Sequence, residues 1–423
     1  MASRESAVTP MPSIPRTGRS SLLANTAVLS ATTLGVSAAN YGLNVALARL
    51  LPPAEFGDAN LAINLVLAAA VVAATLQLVS SKMIATHPES AAAVTRTLAL
   101  IAGSIGLVVL LAFTAGAWVL ADVLRTSTPW MFVVLGLGLP IYFMQAVYRG
   151  VLQGDLRISR LALSYGVEAA VRVVGAIALV WAGFGVVGAC VAITLSFVAS
   201  AAVVWRRRGA DGNTQGRVPW LAVRAVALGA TILLVGQVLI NNGDLVLSKV
   251  FFDPVVAGLY ASAALVGRAV FFLSWSVVQA VFPVAARASL PAVERRRAVL
   301  LAVGMVAVIG GVALVTVFFW SDTVSNVMFG STYAGAASLL FPYVLATTLF
   351  ALANLLGALG VATGRLAVPI VVLAGGALQT ILLISLARTP EMMVWLQVIA
   401  MSVTALGAAL FWTMSEKRLD KAL

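Results

Sequence analysis

Long apolar stretches alternate with short polar or proline-containing connections along the chain. A membrane core of about 30 Å is crossed by a helix of roughly 20 apolar residues. Twelve stretches reach that length, and they cover residues 22–50, 57–84, 95–121, 129–149, 160–181, 185–205, 220–250, 256–283, 298–320, 334–362, 366–387 and 391–413. The pattern therefore predicts an all-α integral membrane protein with twelve transmembrane helices.

Composition also indicates a membrane protein, and it argues against several kinds of functional site. Charged residues make up 10% of the chain, against about 25% in soluble domains. The single cysteine, Cys190, and the single histidine, His87, argue against a disulfide framework, a Cys/His metal cluster and histidine-based catalysis. We therefore expect no metal and no cofactor. The net charge of +12 is interpreted as a signal of membrane orientation, so no nucleic-acid partner is predicted.

Polar segments divide the chain into two halves. The longest internal polar connection is predicted to be a cytoplasmic linker between two six-helix bundles. The basic N-terminus lacks the apolar core of a secretory signal and is predicted to be a disordered cytoplasmic tail. The expected divisions are a tail at 1–20, an N-terminal bundle at 21–205, the linker at 206–219, a C-terminal bundle at 220–414 and a cytoplasmic tail at 415–423.

Lysine and arginine are distributed unevenly among the predicted connections. If the chain starts in the cytoplasm, 21 of its 27 lysines and arginines fall on the cytoplasmic side and four on the other side, while Arg172 and Arg268 lie within spans. Because these residues concentrate on the cytoplasmic side of membrane proteins, both termini are predicted to be cytoplasmic.

The two predicted bundles contain similar sequences. An offset of 200, with one extra residue in the second copy, aligns Asn44 with Asp244, Arg49 with Lys249, Pro53 with Pro254 and Gly57 with Gly258. Since each bundle has six spans, both copies enter the membrane in the same sense. The repeat therefore predicts a pseudo-twofold axis along the membrane normal and a central cavity between the bundles.

The first and seventh spans also share a polar stripe. Steps of three and four residues place one set of polar side chains on a single helix face of each span. These sets are Thr26, Ser30, Thr33, Ser37, Asn40 and Asn44, and Gln237, Asn241, Asp244 and Ser248. Serine and threonine alone are explained by contacts between membrane helices. The equal depth of Asn44, Asp244 and Gln237 in the two halves favours a cavity lining.

Several charges lie at membrane depth, where an unpaired charge costs about 2.5–3.5 kcal/mol or more. Arg268 shares a helix face with Phe272, Trp275 and Gln279. Arg172 follows Glu168 by one helical turn, a favourable spacing for an ion pair. For this pair, an internal structural role and a role in substrate binding or ion coupling both remain open, and Asp244 is open between a sugar contact, structural pairing and coupling.

Four segments carry a family resemblance: ARLLPPAEFGDANLAINLV at 48–66, YRGVLQGDLRISRLAL at 148–163, and the regions 242–286 and 327–365. Together they resemble the polysaccharide biosynthesis (O-antigen and exopolysaccharide) flippase family of the multidrug/oligosaccharidyl-lipid/polysaccharide exporter superfamily. The resemblance implies alternating access between two six-helix bundles in the cytoplasmic (inner) membrane. It also implies that a polyprenyl-diphosphate-linked oligosaccharide is the cargo, with membrane lipids and polysaccharide polymerase machinery as further partners.

Such a cargo defines the candidate site. Its diphosphate requires cations, for which arginine offers two-pronged hydrogen bonds, and its glycan requires amides and aromatic faces. The candidate cavity residues are Arg268, Arg49, Lys249, Asp244, Asn241, Gln237, Asn44, Asn40, Gln279 and Trp275, and the candidate ion pair or coupling residues are Glu168 and Arg172.

Two other functions are considered. An acidic cavity would favour an ion-coupled multidrug exporter of the same superfamily, whereas a cationic cavity favours a diphosphate. A membrane-embedded polymerase or glycosyltransferase would need a catalytic carboxylate in a substantial outer loop, and the predicted outer connections are short. A nucleotide-binding glycine loop with lysine is also missing from the sequence. The chain is therefore predicted to be a transporter and not an enzyme.

Overall fold

The computed structural model describes residues 16–86, 90–205, 220–285, 292–363 and 365–420. Regular secondary structure in these residues is entirely helical. The helices are α1 (Arg16–Leu50), α2 (Pro53–Thr86), α3 (Ala91–Ala115), α4 (Ala117–Val123), α5 (Trp130–Gly154), α6 (Ile158–Leu179), α7 (Gly185–Val204), α8 (Trp220–Phe251), α9 (Pro254–Ala285), α10 (Ala292–Phe329), α11 (Ala337–Ala362), α12 (Ala367–Leu386) and α13 (Pro390–Asp420).

The long helices follow the predicted apolar stretches, and the short α4 continues the third stretch. Ten helical stretches of the described chain are long and apolar enough to cross a membrane. One of them, Ile158–Val204, contains both α6 and α7, which are separated at Gly183 and Gly185, where φ is 92° and 49°. Glycine adopts such positive φ values without the steric cost of a side chain. The prediction of an all-helical protein is confirmed, and ten to twelve apolar helices stand against the twelve that the sequence predicted.

The predicted tails and linker are mostly outside the described residues. The linker 206–219 lies wholly outside them, as do residues 1–15 and 421–423. Helix α1 begins at Arg16 and α13 continues to Asp420, so helix occupies part of the segments that we assigned to tails.

Helices on either side of the linker pack mainly among themselves. In the first half, α5 packs against α2, α3 and α7, and in the second half α11 packs against α9, α10 and α13. Contacts between the halves are made by α2, which packs against both α8 and α9, and by α1, which touches α9 and α10. Helix α2 is therefore the main element that joins the two halves.

A close backbone contact joins the halves where α2 crosses α9. A Cβ atom on Gly57 would lie 3.2 Å from the Cα atom of Gly258, and a Cβ atom on Gly258 would overlap the carbonyl oxygen of Pro53. Nearby, the ring of Phe56 meets that of Tyr333 edge to face at 5.9 Å. Glycine at position 258 is therefore required for this crossing.

This contact gives a test of the packing. Gly258→Ala should lower the free energy of unfolding by about 1–3 kcal/mol, because the added methyl group overfills a backbone contact. Gly304→Ala is the matched control, since nothing lies within 4 Å of a Cβ atom built at this helical position. Thermal unfolding of the purified proteins in detergent measures both, and equal midpoints for the two variants would contradict the crossing.

Candidate functional site

Two neighbouring cavities lie between the halves. The first, of about 200 Å³, is bounded by α1, α2, α6, α7 and α9. The second, of about 220 Å³, is bounded by α2, α8 and α9. Both are lined by Leu67, Arg268 and Phe272, so this trio stands where the cavities meet. The polar side chains of the first cavity are Ser37, Asn40, Tyr41, Asn44, Arg172 and Arg268, and those of the second are Gln237, Asn241, Asn242 and Arg268.

Arg268 occupies the junction as a charged group with neutral partners. Its side chain is 6% exposed, and Nη2 donates to the carbonyl oxygen of Asn241 and, at 3.2 Å, to Oδ1 of Asn242. Its Nε has no hydrogen-bond partner. Within the described part of the chain, no carboxylate lies within ion-pair distance of Arg268. The guanidinium is therefore held in place by α8 without a carboxylate in direct contact, while the buried Asp244 carboxylate is near enough for the two charges to attract each other.

Arg172 reaches the first cavity from the other half. Its Nη2 donates to Oε1 of Glu168 at 2.5 Å, which is the ion pair predicted from the helical spacing. Longer contacts at 3.4 Å and 3.5 Å join it to Ser196 and Asn40. The cavity thus receives one arginine from each half of the protein.

Glu168 has a second cationic partner that the sequence interpretation missed. Its Oε2 accepts hydrogen bonds from Arg149 at 2.7 Å and from Gln145 at 3.1 Å. Arg149 is one of the 21 lysines and arginines assigned to the cytoplasmic side from the sequence, but it lies inside α5 and is 4% exposed. Its spacing of one turn from Gln145 places both on one face of α5, and that polar face was the available signal.

Asp244 lies away from both cavities, which corrects the expectation that it lines them. It is 0% exposed, and its Oδ2 accepts hydrogen bonds from Tyr260 at 3.0 Å and Tyr343 at 2.5 Å. Oδ1 has no partner. The two tyrosines, from α9 and α11, hold the carboxylate inside the second half.

Arg49 and Lys249 also differ from the expectation of a cavity lining. Lys249 is 2% exposed and its Nζ lies 2.5 Å from Oδ1 of Asp58. Arg49 donates to the carbonyl oxygens of Val327 and Met328 at the end of α10, the latter at 3.0 Å. Both side chains therefore join the two halves, because each finds its acceptor in the opposite one.

Of the remaining candidate residues, two line a cavity and one packs in the apolar core. Asn44 lines the first cavity and accepts a hydrogen bond from Asn60 at 3.2 Å. Gln237 lines the second and donates to Asn354 at 2.7 Å. Trp275 stacks on Phe271 and packs in the apolar core of the second half.

The side chain of Gln279 lies outside the described part of the structure. Within the described residues, no group of three or more His, Cys, Asp and Glu side chains could hold a metal ion.

Comparison with known proteins identifies the family. Residues 22–289, more than half of the chain, match the family model described as "Polysaccharide biosynthesis protein". The chain belongs to this polysaccharide biosynthesis protein family. The resemblance noted in the sequence is thereby confirmed. No curated protein matches the sequence.

Solved structures similar to this polysaccharide biosynthesis protein include several transporters. One is a multidrug resistance transporter of the MATE family and MOP superfamily in an outward-facing conformation, with a TM-score of 0.67, 17% identity and coverage of 94% of this chain and 97% of that one. Another is the lipid II flippase MurJ in an inward closed conformation, with a TM-score of 0.73, 11% identity and coverage of 92% and 87%. A third is a MOP superfamily transporter from Pyrococcus furiosus, with a TM-score of 0.59, 15% identity and coverage of 94% and 95%. At these identities the likeness shows a shared fold.

The pair of Lys249 and Asp58 generates a prediction. Lys249→Met should destabilise the protein by about 3–5 kcal/mol, since the Asp58 carboxylate stays buried without its cation. The double variant Asp58→Leu/Lys249→Met should regain much of this loss, because apolar groups replace both charges. Thermal unfolding in detergent compares them. A single variant as stable as the unaltered protein would show that the contact has no structural role.

Proposed function

We propose that the protein is a flippase that carries a polyprenyl-diphosphate-linked oligosaccharide across the cytoplasmic membrane by alternating access, for the synthesis of surface polysaccharide. One observation carries the proposal. Arg172 and Arg268, from opposite halves, line the same cavity, and no carboxylate occurs among the described residues that line either cavity. A cationic cavity with amide neighbours suits an anionic, hydroxyl-rich substrate.

The diphosphate, the glycan and the polyprenyl tail of this substrate would each contact a different surface. The diphosphate bridge would lie between the two guanidinium groups, which form charge-assisted, two-pronged hydrogen bonds with phosphate oxygens. The glycan would contact the amides of the lining, contributed by Asn40, Asn44, Asn241 and Gln237, and the exposed ring of Phe272. The polyprenyl tail needs no polar partner and would remain in lipid.

Alternating access requires two bundles that can move relative to each other. We propose two six-helix bundles, at 21–205 and 220–414, related by a pseudo-twofold axis along the membrane normal. The contact of Gly57 with Gly258 supports this, because an axis between the bundles brings equivalent residues together, and these two are equivalent in the internal repeat. The similar solved structures include one described as inward closed and one described as outward-facing.

The direction of opening follows from the charges. With both termini in the cytoplasm, Asp58, Lys249 and Arg49 lie on the outer side, where they join the halves. The conformation described here would then be closed to the outside. Transport would require the Lys249–Asp58 pair to separate, so that the arginines are presented to the outer face. Lipids and the polymerase machinery that consumes the product are the expected partners.

Arg268 tests the proposal most simply. Arg268→Ala should abolish surface polysaccharide while the protein remains in the membrane, because the diphosphate loses its central cation. Arg268→Lys should retain part of the output, since it keeps the charge without the two-pronged geometry. Arg388→Ala is the control, as Arg388 is exposed and donates a hydrogen bond to the carbonyl oxygen of Ser385. Immunoblotting of membranes and of surface glycan measures both quantities, and normal glycan from Arg268→Ala would refute the role of Arg268.

A second candidate function is an ion-coupled multidrug exporter. The buried Asp244 carboxylate, with one oxygen unpartnered, favours it because such a group can take up a proton or cation, and MATE transporters share the fold.

Efflux of a cationic dye separates the two functions. Cells that express the protein should gain no efflux if the flippase proposal is right. Efflux that depends on Asp244, with a pH profile that changes in Asp244→Asn, would instead support the exporter.

A further inference from the structure

A buried chain of charges lies behind the wall of the first cavity. It consists of Arg149, Glu168 and Arg172, and we refer to it as the charge triad. We propose that Arg149 is a positioning residue of the diphosphate site: by neutralising Glu168 from behind, it leaves the charge of Arg172 available to the substrate. The inference rests on the proposed function, since it concerns how the same anion site is charged.

The two oxygens of Glu168 are divided between the arginines. Oε2 faces Arg149 at 2.7 Å, and Oε1 faces Arg172 at 2.5 Å. Of the three residues, only Arg172 lines the cavity. A substrate in the cavity therefore meets one end of the triad, while the other end is enclosed by protein.

Charge balance shows why the second arginine matters. Glu168 and Arg172 alone would already form a neutral pair, and structural pairing of a buried carboxylate requires nothing more. Arg149 adds a further positive charge, which gives the triad a net charge of +1. Without Arg149, Glu168 would cancel Arg172, and the N-terminal half would offer the cavity no net charge.

Arg149 is fixed by neutral groups and cannot reach the substrate itself. It donates to Ser200 Oγ at 2.7 Å, to Ser164 Oγ at 3.1 Å and to the carbonyl oxygen of Ser164 at 3.2 Å. The ring of Tyr165 lies 4.1 Å from its guanidinium carbon. These partners orient Arg149 toward Glu168 and leave its charge unopposed by any group other than that carboxylate among the described residues.

An experiment with a second, suppressing substitution tests whether Arg149 acts on substrate binding through Glu168 or only stabilises the fold. Undecaprenyl diphosphate is titrated into the purified full-length protein in detergent, and binding is followed by intrinsic fluorescence. Arg149→Gln should weaken binding by roughly 10- to 100-fold, the range for loss of an interaction with a charged group. The double variant Arg149→Gln/Glu168→Gln should return to within about threefold of the unaltered protein, because Arg172 is again uncompensated. Undecaprenol, which has the tail without the charge, should be insensitive to these changes.

Further variants keep the inference testable if Arg149→Gln does not fold, as judged by thermal unfolding. Glu168→Gln should bind at least as tightly as the unaltered protein, since it removes the negative charge of the triad. Arg149→Lys should retain most of the affinity, because a cation still faces Glu168. Weaker binding by Glu168→Gln would overturn the inference.

The remaining outcomes are equally decisive. Full binding by Arg149→Gln, or a folded double variant that stays as weak as the single one, would overturn the inference. If Arg268→Ala abolishes binding at the same time, the proposed function stands without it. If the unaltered protein does not bind the lipid diphosphate, the proposed function fails, and the inference fails with it.

Discussion

A positive charge held between membrane helices without a carboxylate in direct contact is the constraint on which this structure depends. Such a charge costs free energy in an apolar surrounding, so its persistence requires fixed hydrogen-bond acceptors and contact with a polar space. Arg268 has both, because α8 supplies a carbonyl and an amide oxygen and the two cavities meet at its side chain. The helical halves around it create a low-dielectric wall in which this charge acts strongly on an anion.

Other buried cations of the protein differ from Arg268 because each of them contacts a carboxylate directly. Lys249 is matched one to one by Asp58, and this pair holds the halves together on one side. The charge triad combines both behaviours, since Glu168 is shared by a hidden arginine and one at the cavity. Under the proposed function, the presence or absence of a directly paired carboxylate distinguishes the cations that hold the fold from those that bind the substrate.

The apolar pattern was sufficient to predict the helices, and helical spacing placed Ser37, Asn40 and Asn44 on one face, which lines the first cavity. Spacing within one helix cannot show what stands opposite that face. Asp244 has the same phase as its neighbours, yet Tyr343 of α11 encloses it from 99 residues away. Lys249 is likewise paired with a residue 191 positions away, so its role became visible only when the halves were packed together.

The most direct measurement is a cryo-electron microscopy structure of the protein with undecaprenyl diphosphate in lipid nanodiscs. The account predicts density for the diphosphate between the guanidinium groups of Arg172 and Arg268, with the tail leaving the cavity toward lipid. Density for the diphosphate at any other position, with these two side chains unchanged and free of it, would contradict the account.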